Sequence, residues 1–206
     1  MKLNVPFYKQ TTPLNCGPVA LKMVLDYFGK KVSLEIIEKQ TGIREGKGIS
    51  TIQLAIAAIL SGCKVDFYSK HVLFNEENLN KEFYKKYGGM DLEKSKRLVE
   101  EARGVGVGVY EKTFSLDDFL KFVTKESIPI VLIDWNVVIV KKEKGYQGHF
   151  VPVVGYDEKN VCVHNPGLSG PQEFRSISRA VFDEARKADG TDEDLVIVYK
   201  TQSKVL

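Results

Sequence analysis

The chain has 206 residues, of which 43% are hydrophobic, and a formal net charge of +3. This length and composition predict one α/β domain with a sizeable core. The small charge, with acidic and basic residues interspersed, argues against a nucleic-acid-binding surface. Three cysteines without a CxxC spacing argue against a disulfide framework and a zinc ribbon, and favour a reducing compartment. We predict a cytoplasmic protein, because neither an export signal nor a membrane span is visible.

The N-terminal part of the chain contains a potential nucleophile. Apolar residues recur at three- and four-residue steps from Pro18 to Phe28, which predicts an amphipathic helix ended by Gly29. Because proline is favoured in the first helical turn, Cys16 lies at or just before the helix start, where a thiolate is stabilised. The upstream amide of Gln10 could donate to the carbonyl that the sulfur attacks, as in an oxyanion hole. The alternative is a small buried cysteine and a surface glutamine.

The next two helices are predicted from their caps. Ser33 and Ser50 are suitable N-caps for a second and a third helix. The loop over 43–49 between them contains a Gly-Lys pair. It departs from the phosphate-loop spacing, because Gly48 follows Lys47, so we predict no nucleotide binding there.

The remaining chain is predicted to alternate helices and strands. In 75–103, apolar residues at helical spacing indicate two charged helices, broken at Gly88-Gly89. The other elements are strands over 64–68, 104–110, 128–134 and 195–199 and helices over 114–126 and 176–187. Trp135 could form a wall of a cleft, although a core position is the commoner one for a lone tryptophan. Residues 201–206 are predicted to be frayed.

A hairpin near the C-terminus contains the second motif. Two apolar runs flank the polar turn over 157–160, which predicts a β-hairpin. A three-residue turn would pair Asn165 with Val151 and place it on the face of His149. A two-residue turn would place His164 on that face instead. Because only the first register gives the imidazole a nearby partner, we assign Asn165 as the group that orients it.

The two motifs together form a known pattern. Five residues separate Gln10 from Cys16, which opens the helix start Cys-Gly-Pro-Val-Ala-Leu; His149 opens a valine-rich strand that ends in Gly-Tyr; and Asn165 precedes a proline. This combination resembles the papain-like cysteine peptidases, and most closely the bacteriocin-processing, double-glycine leader peptidase-like group. One departure is Asn165, because the leader peptidases usually carry Asp at this position.

The resemblance implies an α+β papain-like fold. In that fold, an N-terminal helical part with the catalytic Cys16 at a helix start packs on a C-terminal antiparallel sheet that carries His149 and Asn165. We expect a single domain over 1–206, with a helical insertion at about 70–112 that could cover the cleft or mediate assembly.

The implied function is that of a cysteine peptidase acting on peptide or isopeptide bonds, for example in leader-peptide processing. His149 would take the proton of Cys16, Asn165 would hold the imidazole, and Gln10 would stabilise the oxyanion, without a cofactor or metal. The expected partner is a peptide or protein substrate and not nucleic acid. The candidate substrate contacts are Gly48, Ser50 and Trp135.

Two other functions remain open at this point. The same thioester chemistry could serve an acyltransferase or deamidase, or the chain could be a catalytically inactive peptide-binding module. A zinc site built from Cys16, His149, Cys162 and His164 is disfavoured, because a two-residue ligand spacing is atypical and the two amide residues would have no role. The sequence does not indicate an oligomeric state.

Overall fold

The structure, a computed structural model, describes residues 1–201. The end of the expected domain and most of the tail that we predict to be frayed therefore lie outside the described residues. The helices are α1 (Cys16–Tyr27), α2 (Leu34–Thr41), α3 (Thr51–Leu60), α4 (Glu82–Tyr87), α5 (Leu92–Gly104), α6 (Leu116–Leu120), α7 (Trp135–Val138) and α8 (Arg179–Arg186). The strands are β1 (Lys64–Ser69), β2 (Gly108–Glu111), β3 (Ser127–Asp134), β4 (Gly148–Tyr156), β5 (Asn160–Asn165), β6 (Gln172–Ser178) and β7 (Leu195–Tyr199).

A seven-stranded sheet in the order β2-β1-β7-β3-β4-β5-β6 organises the molecule. Its neighbouring strands are antiparallel, except that β1 and β2 are parallel. Every residue of the central strand β3 is buried, as expected for an apolar run inside a covered sheet. Helices α1, α3 and α8 pack against the sheet. The α+β fold is thus confirmed, but the sheet is mixed and also includes β1 from the N-terminal half.

Helix α1 begins at Cys16, as its sequence pattern predicts. Most of its residues are buried against β4 and the other helices. The helix ends at Tyr27 with Phe28 as its C-cap, and Gly29 then adopts a positive φ of 76°. A glycine is favoured there because a side chain would strain the left-handed backbone conformation. The predicted bounds of this helix are therefore confirmed.

The caps of α2 and α3 are also confirmed. The Ser33 hydroxyl accepts a hydrogen bond from the Ile36 amide (3.3 Å). Ser50 and Gln53 form a capping box, in which the Gln53 Oε1 atom accepts from the Ser50 amide (3.0 Å). The Gln53 side chain also donates to the Thr41 carbonyl (2.8 Å), which joins the end of α2 to the start of α3.

The segment over 70–112 contains a 3-10 turn (Glu76–Asn80), α4, α5 and β2. Its two main helices are separated at Gly88 and Gly89, as predicted. A Cβ atom at Gly88 would lie 2.3 Å from the Tyr84 carbonyl oxygen, so the chain break requires a glycine. Strand β2 belongs to the main sheet, and α5 packs on α3. The segment therefore combines the two predicted helices with a strand, and this strand begins at Gly108 instead of residue 104.

Two predicted helices have different bounds in the structure. Helix α6 ends at Leu120 instead of continuing to residue 126, because the chain turns back where the Thr124 amide donates to the Ser127 carbonyl. The helix expected from Ser176 begins only at Arg179. The preceding residues form β6, because they pair with β5 instead of following the local helical pattern. Our prediction missed this strand.

The β4–β5 hairpin has the predicted register near Asn165, although its turn is shorter than predicted. The Asp157 amide donates to the Asn160 carbonyl (2.9 Å), so the turn has two residues and not three. Next to the turn, Gly155 faces Cys162, but beyond a β-bulge at Val154 the pairing is Val153 with Val163. The bulge adds one residue to β4 and changes which face each later pair occupies. The predicted turn length was wrong, while the register beyond the bulge is the predicted one.

Candidate active site

Cys16 lies at the start of α1 with its side chain only 9% exposed. The buried Asn15 fixes the approach to the helix, because its Oδ1 atom accepts from the amides of Thr11 (3.2 Å) and Thr12 (3.1 Å). Burial raises the pKa of the Cys16 thiol, and the backbone amide of Phe150 opposes this effect. The sulfur is therefore held close to the first residues of β4, and burial favours the neutral thiol at rest.

His149 is fixed by Asn165, as the hairpin register predicts. The His149 Nε2 atom lies 2.9 Å from the Asn165 Oδ1 atom. Since an amide oxygen only accepts, Nε2 carries the proton and Nδ1 is left as the basic nitrogen. Burial lowers the pKa of His149 from 6.5 to about 4, although the bond to Asn165 acts in the opposite direction. The imidazole is therefore neutral at physiological pH.

Asn165 uses both ends of its side chain. Its Oδ1 atom also accepts from the Gly167 amide (3.0 Å), and its Nδ2 atom donates to the Gly170 carbonyl (2.8 Å). The residue is only 1% exposed. These three bonds determine which end of the amide faces His149, and they leave Asn165 little freedom to reorient.

Gln10 lies beside the same turn, but its side chain is partly engaged. The backbone amide of Gln10 donates to the Pro166 carbonyl (2.9 Å), and this bond places Gln10 next to Asn165. Its Nε2 atom donates to the Thr12 carbonyl (2.8 Å), and its buried Oε1 atom has no partner among residues 1–201. An NH2 group has two hydrogens, so one N–H remains for a substrate oxygen.

Cys16 and His149 line one cavity of about 160 Å³. The cavity extends from the start of α1, past the start of α3, and under the 70–112 segment. Gly48 and Ser50, the predicted substrate contacts, also line it. Some of their polar groups already form hydrogen bonds within the protein. The Gly48 amide donates to the Tyr87 carbonyl (2.9 Å), and the Ser50 hydroxyl donates to the Gln53 side chain.

Trp135 packs on the imidazole of His149. Its ring contacts the His149 ring edge-on, with the centroids 4.9 Å apart, and the Arg175 guanidinium lies 5.1 Å from the Trp135 ring centroid. Asp134 fixes the backbone on both sides of this contact, because its Oδ1 atom accepts from the backbone amides of Asn136 and Gln147 (both 3.0 Å). Trp135 is not among the residues that line the cavity, so the structure places it behind His149.

The opposite end of the cavity contains polar residues that our sequence analysis did not single out. They are Thr51, Asn78, Tyr146, Asp192 and Asp194. Burial raises the pKa of Asp194 to about 7, while the nearby Thr51 and Ser69 hydroxyls act to lower it. The available signal was the acidic run that directly precedes the last strand.

The second histidine of the hairpin has a structural role. His164 is fully buried, with its Nε2 atom 2.9 Å from the Val5 carbonyl oxygen, and its Nδ1 atom accepts from the Phe174 amide (3.0 Å). It therefore binds the N-terminal arm to the sheet. Within residues 1–201, no three His, Cys, Asp or Glu side chains are placed to hold a metal ion together.

Comparison with known proteins identifies the family. The family model described as guanylylate cyclase matches residues 5–198. The chain belongs to this family. A relative, Guanylyl cyclase 1 of Arabidopsis thaliana, is 26% identical over 211 residues, which cover 95% of this chain and 76% of the relative. In the described part of this family member, no helix combines the length and hydropathy needed to cross a bilayer.

Solved structures identify the fold of this family member. A double-glycine motif protease from an AMS/PCAT transporter, crystallised with the leader peptide, matches with a TM-score of 0.58 and 18% identity and covers 98% of this chain and 94% of its own. A C39-like peptidase from Bacillus anthracis matches with a TM-score of 0.60 and 15% identity over 99% of this chain and all of its own. The peptidase domain of Streptococcus ComA has a TM-score of 0.53 and 12% identity, with 96% and 100% covered. The papain-like, double-glycine peptidase-like fold is thus confirmed.

Proposed function

We propose that this member of the guanylylate cyclase family is a cysteine hydrolase that acts on peptide or isopeptide bonds. The observation that carries the proposal is the hydrogen bond between His149 and Asn165 beside a cavity that Cys16 also lines. A nucleophile, a base and a group that orients the base are the parts required for covalent acyl transfer. The peptidase fold of the structural relatives supports the same chemistry.

The proposed reaction begins with proton transfer. His149 Nδ1 takes the proton of Cys16, and the thiolate attacks the substrate carbonyl carbon. The oxyanion accepts hydrogen bonds from the Cys16 backbone N–H and from the N–H of Gln10 that Thr12 leaves free. When the tetrahedral intermediate collapses, His149 donates its proton to the leaving amine, and water then hydrolyses the thioester with His149 again acting as base.

Burial affects when the ion pair forms. With a raised thiol pKa and a lowered imidazole pKa, the resting site holds a neutral thiol beside a neutral imidazole. Proton transfer is therefore coupled to substrate attack in this proposal, and a standing thiolate–imidazolium pair is not required. The start of α1 stabilises the negative charge as it develops on the sulfur.

A peptide segment is the substrate class that we propose. The related transporter protease was crystallised with a leader peptide, and leader-peptide processing is one form of the activity. Gly48 and Ser50 would contact the peptide through the cavity wall. The same acyl-enzyme could transfer its acyl group to an amine or release ammonia from a glutamine, because only the leaving group or the second nucleophile differs.

The test is digestion of a peptide library, with the products identified by mass spectrometry. Products formed by wild type and absent with Cys16→Ala support the proposal, and added amines would be incorporated by a transferase but not by a hydrolase. Retention of peptides without any product would favour the inactive binding module. Products that persist in Cys16→Ala would contradict the proposed nucleophile.

Cyclisation of a guanine nucleotide is a second candidate, favoured by the names of the family and of the Arabidopsis relative. Two carboxylates, Asp192 and Asp194, line the cavity, and Mg²⁺ with nucleotide phosphates is commonly bound by one or two carboxylates. The cavity wall also contains basic side chains, including His71 and Lys94. Incubation with GTP and Mg²⁺, with detection of cyclic GMP and pyrophosphate, tests this candidate. Product that disappears in Asp194→Asn and persists in Cys16→Ala would favour it over the hydrolase.

A further inference from the structure

The cavity connects the Cys16 site with a second polar cluster along one row of the sheet. Leu132 pairs with Phe150 on one side, and its amide donates to the Asp194 carbonyl on the other (3.1 Å). Residues opposite each other on neighbouring strands point to the same face. Asp194 therefore lies two strand spacings, about 10 Å, from Phe150, whose amide is next to the Cys16 sulfur.

Polar atoms at this end of the cavity are buried without partners. Thr51 and Asn78 are each 1% exposed. Asn78 Oδ1 makes no hydrogen bond with residues 1–201, and Thr51 Oγ1 lies near the Asp194 carboxyl without a well-formed hydrogen bond to it. A buried polar atom without a partner is costly, which indicates that a ligand group completes these bonds.

Two carboxyl groups lie at this end, and a bound cation would favour their ionised form. Neither Asp192 nor Asp194 forms a salt bridge with any other described residue; Asp192 instead accepts from the Asn78 Nδ2 atom (2.9 Å). His71 and Lys94 also line the cavity, and the Lys94 ammonium donates to the Gly89 carbonyl (2.7 Å). Carboxylate and amide oxygens accept hydrogen bonds, so a ligand group that fits this end is a hydrogen-bond donor. A positive charge on that donor would balance the carboxylates.

Aromatic rings form the wall beside these oxygens. Tyr84 and Tyr146 stack with their centroids 5.4 Å apart and an interplanar angle of 6°, and Phe83 contacts Tyr146 edge-on at 5.2 Å. These rings provide apolar surface for an alkyl chain, and a ring face, unlike the positive ring edge, favours a cation at its end. Together with the carboxylates, they resemble a site for an alkylammonium group.

We propose that this end of the cavity is a subsite for the ammonium group of a substrate lysine located close to the scissile bond. The inference rests on the proposed hydrolase function and specifies its substrate. A lysine has a four-carbon stem and three N–H donors, which match the aromatic wall and the acceptors Thr51, Asn78 and Asp194. A guanine edge also presents donors, but it would leave Cys16 and His149 at the other end without a role.

The test uses peptidyl chloromethyl ketones, which alkylate an activated cysteine irreversibly. Matched probes carry lysine, norleucine or glutamate at each of the first three positions from the reactive group, and mass spectrometry gives the labelling rate of Cys16. At one position we expect lysine to be at least about tenfold faster than norleucine, its uncharged analogue, because a charge-assisted hydrogen bond is gained. Glutamate should be the slowest.

Two variants assign this preference to the subsite. In Asp194→Asn and in Thr51→Val, the lysine-to-norleucine ratio should fall towards one. Thr51→Val preserves the side-chain shape, so it remains informative if Asp194→Asn does not fold. The matched control is Glu100→Gln, which removes a charge from the exposed face of α5 and should leave the ratio unchanged.

The possible failures are distinguishable. If none of the probes labels Cys16, the proposed function fails and the subsite fails with it. If all probes label Cys16 at similar rates, or if the lysine preference survives both variants, only the subsite is overturned. Thermal stabilisation of wild type by guanosine, absent in Asp194→Asn, would also overturn it by identifying a base-binding site.

Discussion

The two ends of the cavity differ in how their polar groups are satisfied. At the Cys16 end, His149 and Asn165 form a chain of hydrogen bonds that continues into the backbone at Gly170. At the Asp194 end, buried oxygens have no partners among the described residues, and two carboxylates lack salt bridges there. In the proposed function, the end with satisfied polar groups is preorganised for chemistry, and the other end would be completed by a ligand.

The largest expected effect follows from breaking the preorganised end. His149→Ala removes the proposed general base and acid, so we expect the peptide turnover number to fall by about 10³-fold. Circular dichroism should show an intact fold. The structural histidine provides a contrast, since replacing the fully buried His164 should lower stability because it removes the bonds to Val5 and Phe174.

The next effect concerns the oxyanion. Gln10→Ala removes one donor, and the turnover number should fall by about 10²-fold with little change in KM. Steady-state kinetics and urea unfolding should be measured on the same variant. A loss of stability without a loss of turnover would show that Gln10 serves only the loop, through its bond to Thr12.

The Asn165→Asp variant should change the pH dependence of kcat/KM. The pKa of His149 is lowered to about 4, so the wild-type base should be available down to about this pH. A carboxylate at position 165 would stabilise the imidazolium and raise this pKa by about 1–2 units. The acid limb of kcat/KM should therefore move to higher pH by the same amount. An unchanged acid limb would indicate that another group titrates.

The smallest expected effect is that of Asp194 on the stability of the protein as the pH changes. The folded pKa of Asp194 is raised from 3.8 to about 7, so its contribution to stability is present at low pH and is lost as the pH rises between these values. Asp194→Asn should therefore stabilise the protein at pH 8, by about 1–2 kcal/mol, and have little effect at pH 4. Urea unfolding at both pH values checks this, with Glu100→Gln as the control. Equal effects at both pH values would contradict the raised pKa.

Local signals in the sequence predicted the first helix, its cysteine and the caps at Ser33 and Ser50, because these features depend on residues close in the chain. The assignment of Asn165 to His149 was correct although the turn length was wrong, because the bulge at Val154 compensates for the shorter turn. No local pattern indicates a bulge, since its cost and gain depend on the partner strand.

Other features depend on contacts between distant segments. Strand β6 was predicted in part as a helix because only its pairing with β5 makes it a strand. The acidic end of the cavity brings together Thr51, Asn78 and Asp194 from three distant parts of the chain. Their spacing in the sequence carries no periodic signal, so only the folded structure reveals the cluster.

The central claim is that His149 activates Cys16, and thiol reactivity tests it most directly. Each cysteine is followed by mass spectrometry during reaction with a peptidyl chloromethyl ketone, in wild type and in His149→Ala. We expect rapid labelling of Cys16 that falls by about 10³-fold in the variant. Cys63, whose pKa is raised to about 11 by burial, should react slowly in both proteins. Equal labelling of Cys16 with and without the imidazole would contradict the claim.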